Sequence, residues 1–543
     1  MTREGDNGPR GQDAPCYDAA GMAPPSAQGS PPSTSAFTAR RLGALAFVLV
    51  TAAAVGLRLS HLTADSLWLD EGGSLQQSAG DNIWATLVYL ARTTEGDHYQ
   101  PLYFLLLHLW RTVAGSSVLA LRVLSVLFSL AALAVVTITA ARVYGRRHAL
   151  ITAMLVALSA FFVLHAQEAR PYALLMFVGA LLLLLFIRVR EARLDRPYPA
   201  AAWAFWVWFG VGAFASVTIC IMAGGLALGD AIVARHPRRW MRTWLPCAVA
   251  ALPALGFYLL SSTAMDPRSA GVTQSSGPLL RNAAFAIYGI VAGTTFGPPI
   301  EQLHGSNAAG LVLDYWPSLL LLAAATAVGL AAVIRNIGCG DLSDDERGVS
   351  RTLLFALLAS YVLMYVFAAA THLNWQPRHS YFLALPLFLL LPLAVRCGHD
   401  KRRRLCQGLG WAALIALALA NVYSLGHYYW DDAYDRDDYR GVARYVLADD
   451  DPDQRSVLLF GYPVLLRYYG DRETIDGTGV PTGRLAETVR SLTDEAPRVL
   501  LLSNREWAFW DRSETIPEAM SADYRFEGSV RFSYFTLYRF SLR

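Results

Sequence analysis

The chain has 543 residues, 54% of them hydrophobic and 16% charged, against about 25% charged in ordinary soluble chains. Its apolar residues fall in blocks of roughly 20, long enough to cross a hydrocarbon core about 30 Å thick, which excludes a soluble enzyme, a disordered chain and a disulfide-stapled secreted protein. The net charge of +3 hides a split: residues 428–543 carry 21 acidic and 15 basic side chains, residues 1–427 carry 22 and 31, and the basic ones flank apolar blocks instead of lining a nucleic-acid face.

Residues 1–38, rich in Gly, Pro, Ser and Ala, read as a disordered cytoplasmic tail. The first apolar run, 42–60, follows Arg40-Arg41 and reads as a signal-anchor helix. Ten further spans are expected at about 119–141, 149–165, 172–190, 200–216, 218–234, 243–262, 315–335, 352–371, 380–397 and 408–428. With eleven spans, 21 Lys and Arg residues fall on the cytoplasmic side and eight on the outside: Arg58, Arg92, Arg111, Arg122, Arg170, Arg268, Arg281 and Arg378. The shorter runs at 101–110 and 283–297 read as interfacial helices, because counting either alone as a span would reverse every later loop.

The expected protein is therefore a polytopic α-helical cell-membrane protein, with a transmembrane domain at 39–428 and an extracytoplasmic α/β domain at 429–543. A first outside loop spans 61–118 and a Gly-rich one spans 263–314. In the C-terminal domain the spacing predicts helices at 437–448 and 483–492 and strands at 457–460, 499–502 and 532–540. The six cysteines fall in the tail, the spans or the cytoplasmic side, so no disulfide framework or zinc spacing is present.

Four motifs carry candidate chemistry. Trp68-Leu69-Asp70-Glu71 places two carboxylates just past the first span. A carboxylate near a low-dielectric boundary suits general-base work, and the plain alternative is a solvated helix start. His98-Tyr99-Gln100-Pro101-Leu102-Tyr103 opens a Leu-rich helix and reads as aromatic anchoring, with His98 and Tyr103 as supporting candidates. Gln167-Glu168-Ala169-Arg170-Pro171-Tyr172 puts an ion pair at the membrane boundary, where charge is costly and Arg suits bidentate phosphate contact. Pro377-Arg378-His379 adds a second Arg facing the same compartment. Carboxylates, two arginines and aromatic residues on one face suit an anionic lipid phosphate carrying a group to be transferred.

These motifs, with Ala120-Leu121-Arg122, Tyr144-Gly145-Arg146-Arg147 and Asp438-Tyr439-Arg440, resemble the glycosyltransferase-C superfamily. The similarity is to its polyprenyl-phosphate-sugar-dependent bacterial branch, related to protein O-mannosyltransferases and the lipid A aminoarabinose transferase. The family pattern His-Pro-Pro-Leu-Tyr is replaced by Tyr99-Gln100-Pro101-Leu102-Tyr103, with His98 one place earlier.

The resemblance implies an inverting transfer of a hexosyl or pentosyl group from a polyprenyl-phosphate sugar to a lipid, glycan or protein acceptor. Asp70 would match the family's acidic catalytic residue, acting as general base, and Glu71 would position the acceptor. Arg170 and Arg378 are expected to bind the donor phosphate, supported by His98, Tyr103, Glu168, Tyr172 and His379. One Asp-Glu pair does not make a full cation site, so no cofactor is assigned and a divalent cation stays open. The competing classes are a transporter or flippase, which internal repeats and charged broken spans would mark, and a non-catalytic protein that binds lipid-linked glycan.

Overall fold

The structure, a computed structural model, describes residues 34–92, 100–192, 198–234, 236–263, 279–299, 308–339, 341–396, 401–448, 456–460, 464–470, 474–476, 485–492, 496–504 and 516–543. Residues 1–33 of the expected tail, His98, and residues 264–278 and 300–307 of the Gly-rich stretch lie outside the described residues. The chain divides into two units, Met1–Val48 and Leu49–Arg543.

Helix α1 (Thr34–Leu59) is followed by three shorter helices, α2 (Leu69–Gln77), α3 (Ile83–Arg92) and α4 (Pro101–Ala114). Then come α5 (Val118–Tyr144), the bent pair α6 (Arg146–Leu158) and α7 (Ala160–Ala166), α8 (Tyr172–Glu191), α9 (Ala200–Ala215) and α10 (Val217–Ala234). A second bent pair, α11 (Pro237–Ala250) and α12 (Leu252–Ser262), precedes α13 (Leu279–Ala292) and α14 (Ala308–Asp314). The helical part closes with α15 (Trp316–Cys339), α16 (Asp344–Thr371), a 3-10 turn at Pro377–Ser380, α17 (Tyr381–Leu390) and α18 (Lys401–Trp430).

Among the described residues eight helical segments are long and apolar enough to cross a membrane, and ten if each bent pair is one span. This is a multi-pass membrane protein. The remaining expected span, 200–216, is α9; its 16 residues reach about 24 Å, short of a full hydrocarbon core. The runs at 101–110 and 283–297 are the 14-residue helices α4 and α13.

The bends have identifiable supports. Between α6 and α7 the axis turns by 57° at Ser159. The backbone groups freed there are met by side chains, as an apolar surround demands. Buried Arg58 donates to the carbonyls of Val156 (3.3 Å) and Ala157 (3.3 Å), and Asn421 Oδ1 accepts from Ala160 N–H (2.8 Å). The 41° bend between α11 and α12 coincides with proline near the start of α12. Elsewhere the helices pack closely through glycine. A Cβ on Gly225 of α10 would lie 2.0 Å from Ser360 Oγ of α16, and one on Gly229 would lie 2.6 Å from the Thr352 carbonyl.

The C-terminal α/β unit contains α19 (Tyr439–Ala448), β1 (Ser456–Phe460), α20 (Val464–Tyr469), β2 (Thr474–Asp476), α21 (Leu485–Leu492), β3 (Arg498–Asn504), α22 (Ile516–Met520), β4 (Tyr524–Phe532) and β5 (Phe535–Leu542). The sheet order is β2-β1-β3-β5-β4, parallel across the first three strands and antiparallel across the last three. Val499 pairs with Phe540 and Leu501 with Tyr538. These four pack with Leu485, Val489, Ile516, Met520 and Tyr524 into the unit's core. Tyr439, Val442, Ala443 and Val446 are the buried face of α19.

One strand expectation is corrected. Most of the stretch 532–540 is strand, but it is not one strand: Phe532 ends β4, Ser533 and Tyr534 (φ 61°) make the hairpin turn, and residues 535–540 belong to β5. No Gly or Pro marks that turn, so nothing in the sequence separates the end of β4 from the start of β5.

Candidate active site

Helix α2 begins directly after the irregular segment 60–68, and its first turn carries Leu69, Asp70 and Glu71. Consecutive helical residues point about 100° apart, so the two carboxylates diverge. Glu71 turns inward and is 0% exposed, while the Asp70 side chain keeps 21% exposure.

Glu71 is fully engaged. Its Oε1 accepts from Arg122 Nε (2.9 Å) and Ala169 N–H (2.7 Å), and its Oε2 from Arg122 Nη2 (2.7 Å) and Trp68 N–H (3.3 Å). Arg122, from α5, also donates to the carbonyls of Leu62, Asp65 and Ser66. This buried pair ties α2 to α5 and to the turn after α7.

Asp70 faces the two arginines expected to bind phosphate. Its Oδ2 accepts from Arg378 Nη1 at 2.6 Å and lies 3.8 Å from Arg170 Nη2. Arg170 Nη1 further donates to the Asp70 carbonyl (2.9 Å) and contacts Ser74 Oγ (3.4 Å), so it grips the first turn of α2 as well as the carboxylate. Arg378 is held in the 3-10 turn Pro377–Ser380 and is 25% exposed.

The segment between α7 and α8 explains itself residue by residue. The Gln167 amide donates to the carbonyls of Leu57, Arg58 and Ser60 and so caps the end of α1. Glu168 Oε2 pairs with His165 Nδ1 (3.0 Å) and its Oε1 accepts from Arg436 Nη2 (2.9 Å). The Ala169 amide reaches Glu71, Arg170 reaches Asp70, and buried Tyr172 packs its ring against His165, with centroids 5.1 Å apart. Burial alone would push the Glu168 carboxyl up; Arg436 and His165 outweigh it and hold it at about 2. Burial works against the Arg436 cation, and Glu168 and Tyr428 more than offset it, so Arg436 stays above its ordinary value.

The other sequence candidates fall in different places. Tyr103 is fully buried on α4, close enough to Arg170, Glu71 and Glu168 for its phenol to feel their charges; burial, the largest influence, raises it above the ordinary tyrosine range. His379 Nδ1 accepts from Gln376 N–H (3.3 Å) and serves the cap of its own turn. His98 lies outside the described residues. Two residues without an expected site role prove central: Arg122, and Arg436, whose guanidinium lies 5.4 Å over the Trp68 ring.

Beside this cluster is a cavity of about 250 Å³ lined by His61, Ala64, Asp65, Gln167, Tyr428, Tyr429, Asp432 and Asp435. Burial and the neighbouring Asp65, Asp432, Asp438 and Asp431 push the Asp435 carboxyl up to about 6. Among the described residues no three His, Cys, Asp or Glu side chains stand together as a metal-binding group.

Summed over its ion pairs, the site sets four guanidiniums, Arg122, Arg170, Arg378 and Arg436, against three carboxylates, Asp70, Glu71 and Glu168. The surplus cation lies at the partly exposed edge, with Arg378 and Asp70. Such an edge attracts an anion and keeps a carboxylate beside it.

Residues 97–261 match the family described as dolichyl-phosphate-mannose-protein mannosyltransferase. No curated protein sequence matches the chain. Among solved structures, ArnT from Cupriavidus metallidurans bound to undecaprenyl phosphate is 12% identical and superposes with a TM-score of 0.56 over 91% of this chain and 97% of its own. Its apo state gives 0.54 at 13% identity, over 93% and 98%. The chain has the glycosyltransferase-C fold. A more distant protein of that fold, the oligosaccharyltransferase AglB from Archaeoglobus fulgidus in complex with an inhibitory peptide and a dolichol-phosphate, gives 0.50 at 12% identity, over 92% of this chain and 74% of its own. Within this glycosyltransferase-C fold the site is assembled from segments far apart in sequence: the loop after α1, α5, the α7–α8 turn, the 3-10 turn before α17, and the segment after α18.

Proposed function

We propose that the chain is an integral-membrane glycosyltransferase. It moves a hexosyl or pentosyl group from a polyprenyl-phosphate donor to an acceptor hydroxyl on the extracytoplasmic side, with inversion and with Asp70 as general base. The observation that carries this is the Asp70 carboxylate held between Arg378 and Arg170 at the exposed edge of a cluster with one surplus cation. The lipid phosphates bound to ArnT and AglB, of the same fold, support a lipid-phosphate donor. The acceptor hydroxyl belongs to a lipid, a glycan or a protein.

In the proposed reaction the acceptor oxygen attacks the anomeric carbon from the face opposite the phosphate. The acceptor proton passes to Asp70 as the new bond forms. The electrons of the breaking carbon–oxygen bond go to the phosphate, which leaves with an added negative charge. Arg378 Nη1 is the group that can follow that charge. As it shifts from Asp70 toward the phosphate, it frees the Asp70 Oδ2 that it occupies to take the acceptor proton. Arg170, anchored on the Asp70 carbonyl, supplies the second positive charge. Glu71, with both oxygens engaged, is a positioning residue in this scheme and not an acceptor contact.

The test is to purify the full chain in detergent, supply polyprenyl-phosphate sugars with candidate acceptors, and seek the product by mass spectrometry. We expect transfer from at least one donor, with the product linkage inverted at the anomeric carbon. Absence of transfer from every donor by a folded protein that also fails to bind undecaprenyl phosphate would sink the reading.

A further inference from the structure

The segment that delivers Asp70 has little structure of its own. Residues 60–68 form only turns and extended backbone between α1 and α2, so their polar backbone groups need partners from elsewhere. From the helical side Arg122 takes the carbonyls of Leu62, Asp65 and Ser66. From the other side the partners come from the C-terminal α/β unit and the residues leading into it. Arg440 Nη1 donates to Thr63 O (3.1 Å) and Ala64 O (3.2 Å), and its Nη2 to Thr63 O (3.2 Å) and Asp65 O (3.0 Å). The Tyr469 hydroxyl accepts from Leu67 N–H at 2.6 Å, and Asp437 Oδ2 from Leu69 N–H at 3.4 Å. Ser66 Oγ donates to the Asp437 carbonyl (2.5 Å) and accepts from Tyr439 N–H (3.1 Å).

The same unit also presses on α2. A Cβ on Gly72 would stand 2.8 Å from Leu465 Cγ on α20, so only glycine lets that helix seat there without a shift. Arg440 in turn lies over the Tyr469 ring, 5.7 Å from its centroid, which holds the Arg440 donors and the Tyr469 acceptor together.

We infer that the C-terminal α/β unit is the positioning frame for Asp70, acting through Arg440, Tyr469 and Asp437 on the segment before α2. The inference rests on the glycosyltransferase reading for its catalytic consequence but not for its structural one. A general base must sit within a fraction of an ångström of its proton, and about 1 Å of misplacement costs roughly 100-fold in rate. Membrane helices alone fix Asp70 from one side, through Arg122, Arg170 and Arg378. The frame fixes the other.

The experiment uses the full-length protein carrying R440A together with Y469F. Tyr469→Phe removes one hydroxyl and keeps the ring; Arg440→Ala removes the fork. Two readouts are taken. Hydrogen–deuterium exchange over residues 62–77 is expected to quicken about tenfold or more, since the two substitutions remove four Arg440 bonds and one Tyr469 bond to this segment and the loss of one or two would already give that factor. Exchange in α5 and α8 should stay at the parent rate. In the transfer assay kcat is expected to fall about 100-fold with the donor KM within about twofold of the parent. Arg440→Lys, which keeps charge and loses the fork, should recover little of the rate.

Unchanged exchange over 62–77 overturns the inference, as does faster exchange throughout the molecule, which would mark a general loss of fold. Equal falls in kcat and donor binding overturn it too. The exchange arm needs no substrate. If the parent transfers no sugar, the functional reading fails while the frame is still judged on exchange. If the parent is active and the variant exchanges and turns over like it, the frame fails and the functional reading stands.

Discussion

An ionised carboxylate offers about four acceptor positions, and Glu71 uses four within the protein. Asp70, its neighbour, is the carboxylate with an exposed edge, so the two should fail differently. Glu71→Gln leaves Arg122 buried without its counter-charge, a loss of about 3–5 kcal/mol. The expected outcome is a large drop in thermal stability in detergent, ahead of any change in acceptor KM. Asp70→Asn should melt close to the parent and lose turnover by about 100-fold or more; a melting scan beside the transfer assay separates the two. A third carboxylate tests the electrostatics beside the site. Asp435 is pushed from 3.8 to about 6, so the folded state binds its proton more tightly than the unfolded chain does. Its contribution is therefore fully present below about pH 4 and lost as pH rises to about 6. Asp435→Asn should raise stability at pH 7, by about 1 kcal/mol after solvent screening, and change nothing at pH 4. Equal melting curves at pH 7 would show that no such repulsion acts. Among these residues Asp70, Glu71, Arg170 and Arg378 are legible in sequence because a charge at the edge of an apolar block stands out. Arg122, within the first turns of an apolar helix, is legible as a costly charge, but its partner lies 51 residues earlier. Arg436 is not legible at all. It sits in Asp435-Arg436-Asp437-Asp438, where one more charge carries no signal, and only the fold reveals its burial against Trp68 and Glu168.

At the scale of elements, α10 and α16 meet backbone to backbone. Gly225 and Gly229 are four residues apart on one face of α10, and Asp230 beside them pairs with Arg190 of α8 at 2.7 Å while accepting from Trp244 Nε1 at 3.2 Å. A methyl at Gly225 would meet Ser360 Oγ and also the Ala356 carbonyl at 2.8 Å and Ser360 N at 2.9 Å. Because two of these are backbone atoms, a rotamer change cannot make room and the helices must separate. Gly225→Ala is expected to cost about 1–3 kcal/mol. Gly224→Ala meets only Leu363 Cδ1 at 3.2 Å, a flexible side-chain tip, and should melt near the parent. Identical melting of the two variants would argue against close helix contact. The long apolar helices are legible because hydropathy alone marks them. The breaks inside them are less so: Ser159 carries no proline, and its bend depends on Arg58 and Asn421 arriving from distant helices. The β4–β5 hairpin has a different obstacle: β4 alternates Tyr524, Phe526, Val530 and Phe532 with Arg525, Glu527, Ser529 and Arg531, but Ser533-Tyr534 carries no Gly, Pro, Asn or Asp to mark where one strand ends and the next begins.

For the whole molecule the open quantity is which end faces outward, and it follows from charge. Of the 29 Lys and Arg residues counted between Arg40 and Lys401–Arg404, 21 fall at one side of the expected spans and eight at the other. Five of those eight have work within the fold. Arg58 meets the freed carbonyls at the α6–α7 bend, and Arg111 donates to Leu75 O and Ser78 Oγ. Arg122, Arg170 and Arg378 belong to the carboxylate cluster. Among the described residues Arg92 and Arg281 remain as flanking charges on that side. Acidic residues contribute little to orientation, so the pairing of Arg142 with Glu191 and of Arg396 with Glu346 at the opposite side does not weaken the bias there. The positive side should be cytoplasmic, and the Asp70 cluster, with the C-terminal unit bound to the same loop, extracytoplasmic. A reporter enzyme that is active only outside the cytoplasm should therefore work when fused after Arg543 and stay silent when inserted after Cys339. The reverse pattern would put Asp70 in the cytoplasm, away from an outward-facing lipid-linked donor, and would end the proposed reaction even with the fold intact. Activity at both positions would mean an even number of crossings between Cys339 and Arg543, against the three expected at 352–371, 380–397 and 408–428, and would overturn the assignment of sides.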